Sequence, residues 1–365
     1  MPSRRPKVLH VFKSASPISF GGVEDVINNI ASTTSDRFEH TVLCTNKDGD
    51  LLRTEKSYEL ISFKYNFAFS NNPVSLAFHS YLFKHSIDYD VVHFHFPYPM
   101  MDFHYFMKTP YIITYHSDLL RSKLVTLPYR VLAKRFLKNA GTVVYTSNKY
   151  AGFSNFKKYV NSTCVIPLTT SELAETFLDK SFNEKDYFVY IGAFRKYKDL
   201  GTLVRAAIQA DVDLVLLGDG ETKEDMQKLV RENNASRIHF IGDVSETKKY
   251  EVLSKARALI LPSNKESEAF GVVLLEAATM GKPIITANLK SGTTEVNTHN
   301  LNGMTFEKSN ISELVQILKL FATNDDLCDR LGHANRKKYV ENYSRRLFGE
   351  SYKRVYDLII SGKNN

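Results

Sequence analysis

Residues 266–283 read ESEAFGVVLLEAATMGKP, and they lie between two short apolar runs, ALILPS (258–263) and KPIITAN (282–288). The flanking runs have strand composition, and Val272–Met280 has helix composition. Gly281 and Pro283 stop that helix, because glycine ends helices and proline cannot continue them. Strand, helix, strand is the unit of an open α/β sheet. Gly271 falls at or near the helix N-terminus, where unpaired N–H groups and the positive end of the helix dipole attract an anion. Two carboxylates stand eight positions apart, Glu268 before the helix and Glu276 within it. Beside an anion site a carboxylate would repel a bare phosphate. It suits a ligand that also offers hydroxyls there, since an ionised carboxylate only accepts hydrogen bonds. A diphosphate carrying a sugar on either side meets both demands.

Working outward, the C-terminal half repeats the pattern. DYFVYIGAF, DLVLLGDG and RIHFIGDV read as strands, GTLVRAAIQA and KKYEVLSKA as helices, and helices follow at 312–323, 325–342 and 344–361. The N-terminal half opens with a strand (KVLHVFK, 7–13), a loop ending in Gly21-Gly22, and a helix (VEDVINNIAST, 23–33). That order begins a Rossmann-like unit, although no G-x-G-x-x-G is present and a glycine pair serves equally well as a plain turn. Further strands are expected at 40–44, 90–94, 111–115 and 141–146. The chain therefore divides into an N-terminal Rossmann-like domain (1–170), a polar linker (171–186), a C-terminal Rossmann-like domain (187–343) and a last helix (344–365). A ligand is expected in a cleft between the two domains.

The chain has 365 residues, 43% hydrophobic and 24% charged, with a net charge of +8. This is a globular composition with room for two cores. The N-terminus lacks a signal-peptide pattern and no run of apolar residues is long enough to cross a bilayer, so a cytoplasmic protein is expected. Three scattered cysteines form neither a disulfide framework nor a metal knot. Most of the excess positive charge lies in the first half. It points to phosphate or anionic lipid rather than nucleic acid, whose common aromatic-basic modules are missing. Residues 121–138 (RSKLVTLPYRVLAKRFLK) mix basic and apolar side chains. If helical beyond Pro128, they read either as a face for an anionic membrane or as an ordinary solvated helix.

With these motifs in order, the chain resembles the retaining glycosyltransferases of the GT-B fold, family 4. The resemblance rests on YIGAFRKYKDLGTL, LLGDG, IHFIGDVSE, ALILPS, ESEAFGVVLLE, MGKPIIT and a glycine-threonine turn in the C-terminal half. GGVE, HSD and HFHFPYPM carry it in the N-terminal half, the last resembling bacterial surface-polysaccharide members. It implies two Rossmann-like domains facing each other, with the C-terminal helix returning to the N-terminal domain. It also implies transfer of a hexose, mannose ahead of the others, from a GDP- or UDP-linked donor without a metal or other cofactor. The acceptor would be an oligosaccharide or a lipid-diphosphate-linked glycan of O-antigen or capsule, handled on the inner face of the cytoplasmic membrane. Glu276 would bind the donor ribose and Glu268 the transferred sugar, while the amides near Phe270, Gly271 and Val272 meet the diphosphate. Arg195 and Lys198 would neutralise the leaving phosphate. Ala193 follows Gly192 where the family commonly has arginine, so Arg195 takes that charge by displacement. Gly21 and Gly22 would approach the donor phosphate, and His116 the donor sugar.

Other readings of the same residues are specific enough to test. Asp48-Gly49-Asp50, Asp88-Tyr89-Asp90 and Asp211-Val212-Asp213 have the spacing of a metal-dependent transferase, but three hits in polar turns suit coincidence better. His116-Ser117-Asp118 cannot form a triad internally, because neighbours on an extended chain point apart. His93 and His95 share one face, without an evident third ligand. A non-catalytic nucleotide-sugar-binding subunit of a glycan-assembly complex is the alternative to an enzyme.

Overall fold

The computed structural model describes residues 4–19, 21–69, 72–117, 123–153 and 156–362, and the side chains of 69, 123–130, 150 and 153 fall outside that description. The chain folds as two units, Met1–Thr169 with Arg345–Asn365, and Thr170–Ser344.

In the first unit the strands are β1 (Lys7–Val11), β2 (Glu39–Asn46), β3 (Leu51–Thr54), β4 (Glu59–Lys64), β5 (Phe67–Phe69), β6 (Asn72–Val74), β7 (Val91–Phe96), β8 (Tyr111–Tyr115), β9 (Thr142–Tyr145) and β10 (Thr163–Val165). Eight of them form one sheet in the order β10-β9-β8-β7-β1-β2-β4-β3, and β5 and β6 form a separate hairpin. Every pairing in the large sheet is parallel except β3 with β4. All six residues of β7 are buried, as in a parallel sheet covered on both faces. Helices α1 (Gly22–Thr34), α2 (Leu76–His85), α3 (Lys123–Asn139) and α4 (Asn148–Phe153) are the connections. Helix α3 starts ahead of Pro128 and carries the described part of the basic segment.

The second unit has β11 (Tyr187–Ile191), β12 (Leu214–Leu217), β13 (Ile238–Gly242), β14 (Ala256–Leu261), β15 (Ile284–Ala287) and β16 (Gly303–Phe306), all parallel, in the order β13-β12-β11-β14-β15-β16. Its helices are α5 (Glu172–Glu175), α6 (Leu200–Ala210), α7 (Lys223–Glu232), α8 (Glu246–Ser254), α9 (Val272–Thr279), α10 (Thr293–Val296), α11 (Ile311–Ala322) and α12 (Asp325–Asn342). The last helix, α13 (Arg345–Ile360), packs on α1 in the first unit. There the Arg345 guanidinium donates to Asn29 Oδ1 (2.6 Å) and Ser32 Oγ (2.8 Å). A Cβ on Gly349 would stand 2.7 Å from the carbonyl oxygen of Thr33, so only glycine lets the two helices approach this closely.

One expectation is corrected. Residues 171–186 are not a free linker but part of the second unit. Ala174 is buried, Ser171 Oγ hydrogen-bonds the Tyr250 hydroxyl (3.1 Å), and the Lys282 ammonium donates to the carbonyl of Glu184 (2.9 Å). The segment's side chains are mostly exposed, which accounts for the polar composition, while its backbone carbonyls and Ala174 tie it to the second unit.

Candidate active site

In a doubly wound sheet, ligands bind beyond the strand C-termini where the strand order reverses. In the second unit that point lies between β11 and β14. The chain leaving β11 carries Gly192, Arg195 and Lys198, and the chain leaving β14 carries Ser263, Glu268, Phe270 and Gly271. Sheet topology thus brings together residues far apart in sequence.

Gly271 caps α9 with φ 78°, a left-handed conformation that glycine tolerates best, and a Cβ there would sit 2.9 Å from Leu261 Cδ2. Helix α9 therefore starts with its first N–H groups open beyond the strand ends, the arrangement that suits an anion. Phe270 is buried, its ring edge-on to Tyr343 (6.0 Å between centroids), and Val272 opens the helix. Phe270 thus anchors the loop, and only its backbone is available to a ligand.

Both carboxylates are buried, and each is held by one oxygen. Glu268 Oε2 pairs with the Lys198 ammonium and accepts from Ser263 Oγ (2.8 Å). Glu276 Oε1 accepts from the Lys249 ammonium (2.9 Å) and the Tyr250 hydroxyl (3.1 Å). The other oxygens, Oε1 of Glu268 and Oε2 of Glu276, accept no hydrogen bond from a described residue, and neither is sealed from solvent. An ionised carboxylate with one anchored and one open oxygen is a rigid acceptor for hydroxyls. Burial pushes the Lys249 ammonium down, yet Glu276 and Glu246 outweigh it and hold its pKa above the ordinary value. Burial, with the neighbouring Glu276 charge, raises the Tyr250 hydroxyl far above its usual range, so it stays a donor. Arg195 is exposed at the start of the turn after β11.

Lys249, Tyr250 and Ser263 were not singled out from the sequence. Lys249 and Tyr250 read there as part of an ordinary helix, KKYEVLSKA. Only the pairing of β11 and β14, with α8 between them in sequence, brings that helix to Glu276.

The remaining site residues belong to the first unit. Gly22 begins α1, and a Cβ there would meet nothing within 4 Å. Gly21 is extended (φ −179°), which any residue adopts. The Glu24 carboxylate turns back toward Gly21 and accepts from Ser14 Oγ (2.6 Å), placing negative charge at this helix end. His116 follows β8, its N–H bonded to the Phe96 carbonyl (2.9 Å) and its ring bonded to His95 (3.1 Å). Burial lowers the His116 pKa to about 3, so the ring is neutral. Asp118, the last residue of the HSD motif, lies outside the described residues, as do 121 and 122 of the basic segment.

The Asp-x-Asp pairs are engaged locally. Asp90 Oδ2 accepts from the Lys7 N–H (2.7 Å), Asp50 Oδ1 from the Lys64 N–H (2.9 Å), and Asp213 pairs with Arg237 (2.6 Å). The histidine pair does gain a third neighbour: ring nitrogens of His10, His93 and His95 lie within 4.8 Å of one another.

Two parallel doubly wound units of this kind, with a helix N-terminus, buried carboxylates and a fixed lysine at the second switch point, define a GT-B glycosyltransferase. Residues 20–153 match the profile of Glycosyltransferase Family 4 and residues 175–338 that of Glycosyl transferases group 1, and the chain belongs to this family. It is 27% identical to O-antigen chain mannosyltransferase C of Escherichia coli, over 98% of this chain and all of that one. It is also 27% identical to D-rhamnosyltransferase WbpZ of Pseudomonas aeruginosa, over 93% of this chain and 92% of the relative. Among solved structures, Alr3699/HepE of Anabaena, determined with UDP and glucose, superposes with a TM-score of 0.73 at 16% identity, over 97% of this chain and all of that one.

Proposed function

We propose that the protein is a retaining glycosyltransferase that moves a hexose from a nucleoside diphosphate to a growing O-antigen glycan, on an oligosaccharide or lipid-diphosphate carrier. The observation that carries this reading is the pair of half-anchored carboxylates on either side of the Gly271 helix end. Glu276 takes the ribose hydroxyls, Glu268 takes hydroxyls of the transferred sugar, and the diphosphate lies on the α9 N-terminus between them. Cleavage of the sugar–phosphate bond leaves negative charge on the diphosphate while the ring becomes cationic. Lys198 stands ready to stabilise that charge, with Arg195 beside it, and fixed donors aimed at developing charge are the largest single source of rate in such sites. A cationic pair does here what a divalent ion does elsewhere, so turnover is expected to persist in EDTA.

Mannose is the first choice of sugar because of the mannosyltransferase relative, and the rhamnosyltransferase relative makes its deoxy analogue the next. The UDP-bound neighbour supports a nucleotide leaving group without choosing its base. The first unit supports a membrane-side acceptor: Phe103, Phe106 and Val131 are exposed near the exposed Arg135 and Lys138. No helix among the described residues is long and apolar enough to cross a membrane, so contact would be peripheral.

Thermal-shift screening of GDP- and UDP-sugars, followed by transfer of the labelled sugar to a lipid-diphosphate acceptor, tests the reading. A donor that stabilises the protein and is turned over supports it. Binding without transfer to any acceptor would favour a non-catalytic subunit.

A further inference from the structure

The first unit contains a feature that the transfer chemistry above does not use. His10 stands on β1, His40 on β2 and His95 on β7, and with His116 beyond β8 they form one unbroken hydrogen-bonded line. His116 Nε2 meets His95 Nδ1 (3.1 Å), His95 Nε2 meets His10 Nδ1 (3.2 Å), and His10 Nε2 meets His40 Nδ1 (3.0 Å). The line ends at Thr34, whose hydroxyl is 2.8 Å from His40 Nε2. His10 and His95 are wholly buried and His40 nearly so. Burial lowers the pKa of every ring in the line, to about 4 at His40 and about 3 at His116, so all four are neutral near pH 7.

A neutral imidazole has one N–H and one lone pair, so each link fixes the next. The far end decides the direction. Thr34 Oγ1 lies 2.7 Å from the Ile30 carbonyl, which can only accept, so the single hydroxyl proton goes there. Thr34 then accepts from His40 Nε2–H, and His40 Nδ1 accepts from His10 Nε2–H. His10 Nδ1 accepts from His95 Nε2–H, and His95 Nδ1 accepts from His116 Nε2–H. Every ring is held as the Nε2–H tautomer, and Nδ1 of His116 is left as a lone pair. No described residue bonds to it.

We propose that Thr34, His40, His10 and His95 are positioning residues that lock His116 into the tautomer whose Nδ1 accepts a hydrogen bond from a substrate hydroxyl. The function of that acceptor rests on the glycosyltransferase reading; the tautomer does not. The close approach of His10, His93 and His95 also resembles a metal cluster. The lone pairs of His10 and His95 are already committed along the line, however. His93 is bonded at both nitrogens, to Tyr356 (2.8 Å) and Thr114 (2.7 Å). A metal ion would have to break the line to bind.

The test uses the full chain with ¹⁵N-labelled histidine, reading each ring's tautomer from its nitrogen resonances, with His116 assigned by its loss in His116→Gln. The expected spectrum shows all four rings protonated at Nε2. A ring of the line protonated at Nδ1, or a mixture in the wild type, overturns the proposal. So does stoichiometric zinc binding that shifts His10 and His95 in the purified protein. The second arm is Thr34→Val, which removes the acceptor and leaves His40 Nε2 facing a methyl group. The line is then free to reverse, and His116 is expected to gain the Nδ1–H form, with kcat/KM falling about fivefold, the size of one neutral hydrogen bond. Thr34→Ser is expected to restore both. An unchanged His116 tautomer in Thr34→Val overturns the proposal whatever the activity does. Absence of sugar transfer by the wild type would remove the glycosyltransferase reading and leave the tautomer result standing.

Discussion

Glu276 is buried and Lys198 partly so at one end of one sheet, yet the proposed reaction gives them different steps. Lys198 is paired to Glu268, and in the proposed reaction leaving-group charge develops beside it. Its attraction is greater for the transition state than for the bound donor, so Lys198→Ala is expected to lower kcat about 100-fold, the usual cost of one such donor, with little change in donor KM. In the same proposal Glu276 meets the same ribose hydroxyls before and during transfer. Glu276→Gln therefore is expected to raise donor KM about tenfold at nearly constant kcat. Steady-state kinetics with donor varied at saturating acceptor separate the two. Equal effects of both variants on both parameters would contradict the roles assigned here. The same reasoning reaches Tyr250, which no motif marks: Tyr250→Phe removes one of the two donors that hold Glu276 Oε1 and should produce a weaker form of the Glu276 defect.

Helix α9 shows how far elements could be read from the sequence alone. Its start at Gly271 and its stop before Gly281 are local matters of backbone freedom, and a short window contains them. The left-handed φ of Gly271 makes a direct test. Alanine there costs about 1–2 kcal/mol in backbone energy, and its Cβ would press on Leu261, so Gly271→Ala is expected to tilt the first turn and weaken donor binding more than it lowers Tm. Calorimetric titration of the donor, beside a melting curve, checks the order of the two effects. Most of the central parallel strands of both sheets were legible for a similar reason, since a strand buried on both faces has to be apolar along its length. Strands β3, β4, β10 and β16 and the β5–β6 hairpin were not, because edge and partly exposed strands have mixed composition; all four residues of β3 are exposed, and β10 and β16 stand at sheet edges. Nor was the partner set of the two carboxylates, which depends on strand order. His10 had left a signal, a single polar residue inside the apolar stretch VLHVF, whereas His40 lies between Glu39 and Thr41 at the polar start of its strand. An isolated histidine in such a run reads as packing, and only the register of β1, β2 and β7 shows that the rings touch.

The two units differ in how they should respond to acid, because the buried imidazoles are confined to the first. His10, His40, His93, His95, His104 and His116 are neutral in the fold, burial being the leading cause for each, with further lowering from neighbouring rings at His10, His93, His95 and His104. In the unfolded chain each returns to an ordinary value near 6.5. The folded pKa is the lower one, so as pH falls the unfolded chain takes up protons first. Stability is therefore full above about pH 6.5 and is lost below it, by about 1.4 kcal/mol per pH unit for each ring kept neutral, until the folded rings titrate or the unit unfolds. Six rings acting together amount to roughly 8 kcal/mol for each unit of pH, which is comparable to the whole stability of a typical domain. The first unit, including α13, is thus expected to unfold cooperatively between about pH 6 and pH 5, while the second unit, whose buried charges are mostly lysine–carboxylate pairs, persists to lower pH. Two separate calorimetric transitions, of which only one moves steeply with pH in this window, would bear this out. His10→Gln with His93→Gln should shallow the slope of that transition by about a third without touching the other. A single transition with no acid dependence between pH 7 and pH 5 would mean that the buried rings do not stay neutral in the fold.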